Sequence, residues 1–183
     1  HRSLRRSGLT LVEVTLVISV VGVLLAVFIP TFVRELRTSK ISEAATQLEA
    51  LHRASAAYYA ARHDIGEASR ATRCLPVPGG PVPATPSADP IVVDFSSEDL
   101  ERAAPFRALG FAPVRPLRYR YTYTPIKDGC DVRATEGRRL LTLRAEGDLD
   151  EDGKYSLFER LATSNAEGEL VPLGVLQVTN RTE

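Results

Sequence analysis

Apolar residues run almost unbroken from Leu9 to Ile29 (LTLVEVTLVISVVGVLLAVFI), where Glu13 is the one ionisable group among Thr10, Thr15 and Ser19. A helix of that length, rising about 1.5 Å per residue, spans roughly 30 Å, the depth of a bilayer's hydrocarbon core. From Thr31 to His63 there is no Gly or Pro, and the pattern becomes periodic. Ile41, Ala44, Leu48, Leu51, Ala54 and Tyr58 fall three or four apart, one stripe of a helix, with Ser39, Lys40, Glu43, Gln47, Arg53 and Arg62 mostly on the other faces. The pattern predicts one helix over 9–63, membrane-spanning over 9–29 and amphipathic beyond. His52 and His63 are expected at the surface or an interface, without ligand spacing.

Residues 64–95 change character: six prolines and three glycines lie before residue 91, which predicts irregular, variable loop. A short helix is expected over EDLERA, capped by Ser96 or Ser97 and ended by Pro105. Beyond it, Leu117–Tyr123 alternates Leu or Tyr with Arg or Thr, a half-buried antiparallel strand. Arg139–Ala145 reads as a second strand and Leu173–Val178 as a third, with turn chemistry at Ile126-Lys127-Asp128-Gly129 between the early strands. The expected fold is α+β, a long helix packed on a three- or four-stranded antiparallel head over 96–183.

Composition narrows the function classes. Lys+Arg and Asp+Glu are both 23, so a basic nucleic-acid surface is not expected. Three histidines and two cysteines form no hydrolase signature, and no enzyme is expected. The chain contains no Met, so its given start is expected to be trimmed. The flank HRSLRRSG carries Arg2, Arg5 and Arg6 and no acid, which keeps that end cytoplasmic and exports everything past Pro30. No A-x-A-like site follows the apolar run, against a secretory signal peptide. A plain anchor gives no reason for Glu13, a carboxylate costing about 2.5–3.5 kcal/mol at mid-membrane.

Gly8-Leu9-Thr10-Leu11-Val12-Glu13 resembles the prepilin peptidase motif of type IV pilins and type II secretion pseudopilins. The resemblance implies a leader over 1–8 removed after Gly8 and methylation of the new terminus at Leu9, where the family more often has Phe. It also implies a Glu fifth and a Pro near twenty-second after the cut, which Glu13 and Pro30 match. In the family that Glu pairs with a neighbouring subunit's terminal amine during assembly; the alternative is that Glu13 snorkels to the interface. In assembled filaments of the family the corresponding stretch is often unwound, and the resemblance implies the same between Gly22 and Pro30. The run APFRALGFAPVRPLRYRYT is similar to pilins of myxobacterial and related delta-proteobacterial groups.

Two features lie outside that motif. Cys74 and Cys130, in an exported region, are expected to form a disulfide, the alternative being two free thiols. Residues 148–159 fit the calcium-loop pattern D-x-D-x-D-G-x5-E, with Asp148, Asp150, Asp152, the Lys154 carbonyl, Ser156 through water and Glu159 as ligands. A strand precedes this loop, so it is expected between strands and not in an EF-hand; the alternative is a solvated Asp-rich turn. The resemblance adds that pseudopilins and some pilins use calcium to staple the head.

The function this implies is a major or minor pilin, held in the inner membrane with its head in the periplasm, then polymerised into a surface filament for adhesion or motility. Its partners would be sister subunits, the inner-membrane assembly platform and the prepilin peptidase. The alternative is a pseudopilin of a periplasmic secretion piston.

Overall fold

The computed structural model describes residues 10–64, 70–95, 100–133 and 137–180. Helix α1 spans Leu11–Ala60 and carries Pro30 inside it. It is continuous through Gly22 and Pro30, the stretch for which unwinding in filaments is implied. Pro30 removes one backbone donor, and close by the Thr31 hydroxyl donates to the Val27 carbonyl at 2.9 Å. The chain divides into two compact units between Ser39 and Lys40. In the first, the helix is exposed on every side over Leu11–Phe32.

The second unit begins with residues 40–60 of α1. Its buried positions are Ala44, Leu48, Leu51, His52, Ser55 and Tyr59. The stripe therefore moves on after Leu51 by one residue from the predicted Ala54 and Tyr58, which are half-buried. Glu43 is not solvated as expected but faces the sheet, where it accepts the Arg118 backbone N–H. His52 lies buried at this interface.

Strand β1 (His63–Asp64) pairs with β2 (Arg70–Ala71) in a small hairpin. The main sheet is antiparallel in the order β3 (Gly79–Val82), β4 (Arg120–Pro125), β5 (Leu141–Gly147), β6 (Ser156–Ser164), β7 (Leu170–Pro172). Strand β8 (Gln177–Thr179) pairs with the first half of β6, and β7 with its last residues. Among the described residues the sheet thus has six strands where three or four were expected. Strand β3 corrects the reading of 64–95 as loop alone. An edge position tolerates the missing donor of Pro81, and Gly79 lets helix α2 (Leu100–Ala108) come close: a Cβ there would meet the Arg102 carbonyl and the Pro105 ring.

Pro105 does not end α2 but lies within it. Ala103 and Phe106 on either side are fully buried, and Phe106 packs with Phe95 and Phe111 at ring-centroid distances of 5.4 and 5.9 Å. That burial outweighs the loss of one helical hydrogen bond in so short a helix. Ser96 and Ser97, the expected caps, lie outside the described residues.

The inner face of β4 presents Tyr119 at its approach, then Tyr121 and Tyr123, opposite Leu143 and Ala145 of β5 and in one core with Leu48 and Leu51. Tyr119 meets Phe158 of β6 edge-on at 5.6 Å. Burial drives all three phenols upward, Tyr119 to about 12, so they stay neutral. Strand β6 was not anticipated, and of the strand expected over Leu173–Val178 only Gln177 and Val178 lie in one, β8; residues 173–176 instead connect β7 to β8, with Gly174 at φ +76°. Residues 126–129 make no tight turn but open the long connection from β4 to β5. Within it Cys130 is disulfide-bonded to Cys74, and Leu75 and Gly129 exchange backbone hydrogen bonds of 2.8 and 2.9 Å beside it.

Candidate functional site

Two segments carry the chemistry singled out above, one in each unit. At the start of α1, Thr10 is the N-cap and Glu13 the third helical residue. The Glu13 N–H donates to Thr10 Oγ1 at 3.3 Å, while Glu13 Oε2 accepts the Thr10 N–H at 2.8 Å and the Thr10 hydroxyl at 2.9 Å. This is a reciprocal capping box, with the carboxylate against the positive end of the helix dipole. In the sequence this cap is carried by the T-x-x-E spacing of Thr10 and Glu13. The Thr15 hydroxyl donates to the Val12 carbonyl at 3.0 Å. Hydroxyls turned onto their own helix in this way suit apolar surroundings. The 22 residues Leu11–Phe32 have no part buried and are long and apolar enough to cross a membrane. A Cβ at Gly22 would meet nothing within 4 Å. Gly8 and Leu9 lie outside the described residues.

The second segment is the eight-residue connection from β5 to β6, which places the acidic loop between strands. The carboxylate oxygens of Asp148, Asp150 and Asp152 lie within 4.8 Å of one another. The loop is shaped from within: Asp148 Oδ2 accepts the Gly153 N–H at 3.0 Å and Asp152 Oδ1 the Lys154 N–H at 2.8 Å. Glu151 and Gly153 take φ of +61° and +84°, the left-handed region that Gly enters freely. Asp148 Oδ1 is buried and has no hydrogen-bond partner among the described residues. An orphaned carboxylate oxygen of this kind is suited to a hard cation.

Of the other expected ligands, Ser156 and Glu159 are engaged elsewhere, and the Lys154 side chain turns onto the loop itself. Lys154 Nζ pairs with Asp152 Oδ2 at 2.6 Å, and this hydrogen bond is the first cause holding the exposed Asp152 carboxyl below its usual range. Strand β6 begins at Ser156, which fixes the direction of the side chains that follow. Ser156 turns inward and its hydroxyl donates to the Gly147 carbonyl at 3.1 Å. Glu159 stands in the ladder opposite Arg144 and pairs with its Nε at 2.7 Å. The structure therefore brings together three of the four carboxylates and leaves Glu159 in an ion pair. A cation here would be held by the three Asp and by groups of the loop backbone, a weaker set than the full twelve-residue pattern.

Of the two histidines among the described residues, His52 lies near Glu49 of α1 and Arg160 of β6, and its pKa is lowered, chiefly by burial. Glu49 and Arg160 form an ion pair of 3.2 Å across the interface. His63 Nε2 lies 2.8 Å from the Tyr58 carbonyl.

The chain is similar to the type IV major pilin protein PilA of Myxococcus xanthus (strain DK1622), at 30% identity over 129 residues. The match covers 70% of this chain and 42% of that protein, so the chain spans less than half of its relative's length. No protein-family model matches the chain, and no solved structure matches it.

Proposed function

We propose, on the premise that this chain is a homologue of a type IV pilin, that it is a structural subunit whose apolar helix leaves the inner membrane to join a bundle of like helices in a surface filament. The observation that carries this reading is the wholly exposed apolar surface over Leu11–Phe32, headed by a single carboxylate at Glu13. So much apolar surface needs lipid or sister helices around it. Cleavage at Gly8–Leu9 would free an amine next to Thr10, at the end of the helix towards which Glu13 leans. A neighbouring subunit's amine would then find a carboxylate already held in place. The test replaces Glu13 by Ala in the native strain and images surface filaments. Scarce filaments with the subunit still in the membrane are expected, and normal filaments would overturn the assembly role.

The Asp cluster favours a second reading, a pseudopilin of a secretion piston, because a calcium-stapled head is implied for that group. Deleting the gene separates the two: loss of filaments supports a pilin, and loss of cargo secretion with filaments intact supports a pseudopilin.

Asp148, Asp150 and Asp152 are proposed to hold one calcium ion, which would relieve their mutual repulsion and fix the β5–β6 connection. A site with few side-chain ligands falls in the class of roughly 10⁻⁴–10⁻³ M, which suffices outside the cell. Calorimetric titration with calcium, repeated on Asp148→Asn, tests it. Heat in the parent and none in the variant is expected; no heat and a melting temperature indifferent to chelator would sink the site.

A further inference from the structure

A polar cavity of about 250 Å³ lies by the last turn of α1, lined by Tyr59, Arg73, Arg133, Ser164, Asn165 and Gly168. Its charge has one sign. Two arginines line it, no carboxylate does among the described residues, and neither arginine has an ion pair among them.

The walls are built and not a chance meeting of surface side chains. The Arg73 N–H donates to the Tyr59 carbonyl at 2.8 Å, and the Val132 N–H donates to the Arg73 carbonyl at 3.0 Å. The Cys74–Cys130 disulfide locks together the two segments that carry Arg73 and Arg133. The fully buried Tyr59 donates its hydroxyl to the Val132 carbonyl at 2.6 Å and also hydrogen-bonds Ser164. On the far side the β6–β7 turn is closed by the Asn165 N–H on the Glu169 carbonyl at 3.0 Å and the Glu169 N–H on Asn165 Oδ1 at 2.7 Å. The Glu169 carboxylate is engaged by Asn165 Nδ2 at 3.1 Å. Gly168, at φ +81°, lies against the Arg73 guanidinium, into which a Cβ would run.

Two cations held beside one cavity repel each other unless an anion stands between them. Guanidinium forks match the paired oxygens of a carboxylate or phosphoryl group. We infer that this cavity is a binding site for a small oxyanionic ligand, a carboxylate or phosphoryl group borne on a body no larger than a sugar ring. Nothing in the filament role requires such a site, and it stands independently of that role.

The experiment titrates the full chain in detergent micelles at low ionic strength, by calorimetry, with inorganic phosphate, D-glucuronate and neutral glucose. Heat with phosphate, glucuronate or both, and none with glucose, is expected; which anion binds identifies the ligand class. Arg73→Gln and Arg133→Gln should each weaken binding by roughly tenfold or more, the effect of losing a charge-assisted hydrogen bond. Arg115→Gln, an exposed arginine outside the cavity, should leave it unchanged. Melting curves of each variant check that the fold persists. Absence of heat with both anions, or equal affinity in the parent and the Arg73→Gln/Arg133→Gln double variant, would overturn the site.

Discussion

Glu43 of α1 accepts the backbone N–H of Arg118 at 2.7 Å, and the same carboxylate reaches the Tyr119 N–H at 3.4 Å and Arg118 Nη1 at 3.5 Å. One helical side chain thus holds the approach to β4, where the chain has left its bridge between Ile91 and Leu117. Glu43→Ala strands these donors at a mostly buried spot and should cost about 2–3 kcal/mol. Glu43→Gln keeps one acceptor oxygen and should lose less. Urea unfolding of the full chain in detergent, comparing midpoints, checks both.

His52 predicts a pH dependence of stability. Burial first, and Arg160 to a lesser extent, lower its pKa from 6.5, while Glu49 opposes them. The unfolded chain therefore binds the proton more readily than the folded one. Stability is fully present above pH 6.5 and falls as pH drops towards the lower folded value. The slope contributed by one proton is at most about 1.4 kcal/mol per pH unit. Melting temperatures between pH 7 and pH 5 should decline in the parent and decline less in His52→Leu. Equal slopes would remove His52 as the cause.

The disulfide closes a loop across a sequence separation of 56 residues. In the chain-entropy account such a crosslink stabilises by about 4 kcal/mol. Reduction, or the double change Cys74→Ala and Cys130→Ala, should lower the unfolding midpoint by a comparable amount. It should also loosen Arg73 and Arg133 together, seen as faster amide exchange in residues 72–75 and 129–133.

Gly79 marks the contact between β3 and α2. A Cβ at this position would stand 2.7 Å from the Arg102 carbonyl and 2.5 Å from Pro105 Cδ, and the backbone atom cannot swing aside. Gly79→Ala should cost about 1–3 kcal/mol by overpacking. Val77→Ala, at an exposed site nearby, is the control and should be near neutral.

The long helix and β4 were legible because their apolar positions obey a single period over many residues. Strand β6 was not. Its inner face reads Ser156, Phe158, Arg160, Ala162, Ser164, polar at every other inward position, so alternation of apolar and polar residues along the strand is lost. The buried stripe of α1 was displaced for the same reason, since His52 and Ser55 are polar yet buried. Strand β3 was hidden by its own Gly79-Gly80-Pro81, residues that discourage interior strands but suit an edge. The acidic loop was legible as composition and as a connection between strands. The place of Glu159 was not, because spacing alone does not reveal that a ladder begins at Ser156 and directs that side chain to Arg144.

The helix and sheet of the second unit are joined at two charged points, Glu43 with Arg118 and Glu49 with Arg160. Six residues separate the two acids, about 9 Å along the axis. The close-packed face between them, with Leu48 fully buried, resists sliding as well. Tension applied along α1 would load these two pairs in shear together with that face. Slippage by one helical turn, about 5.4 Å, would break both at once, so the joint should hold its register under load and then yield abruptly.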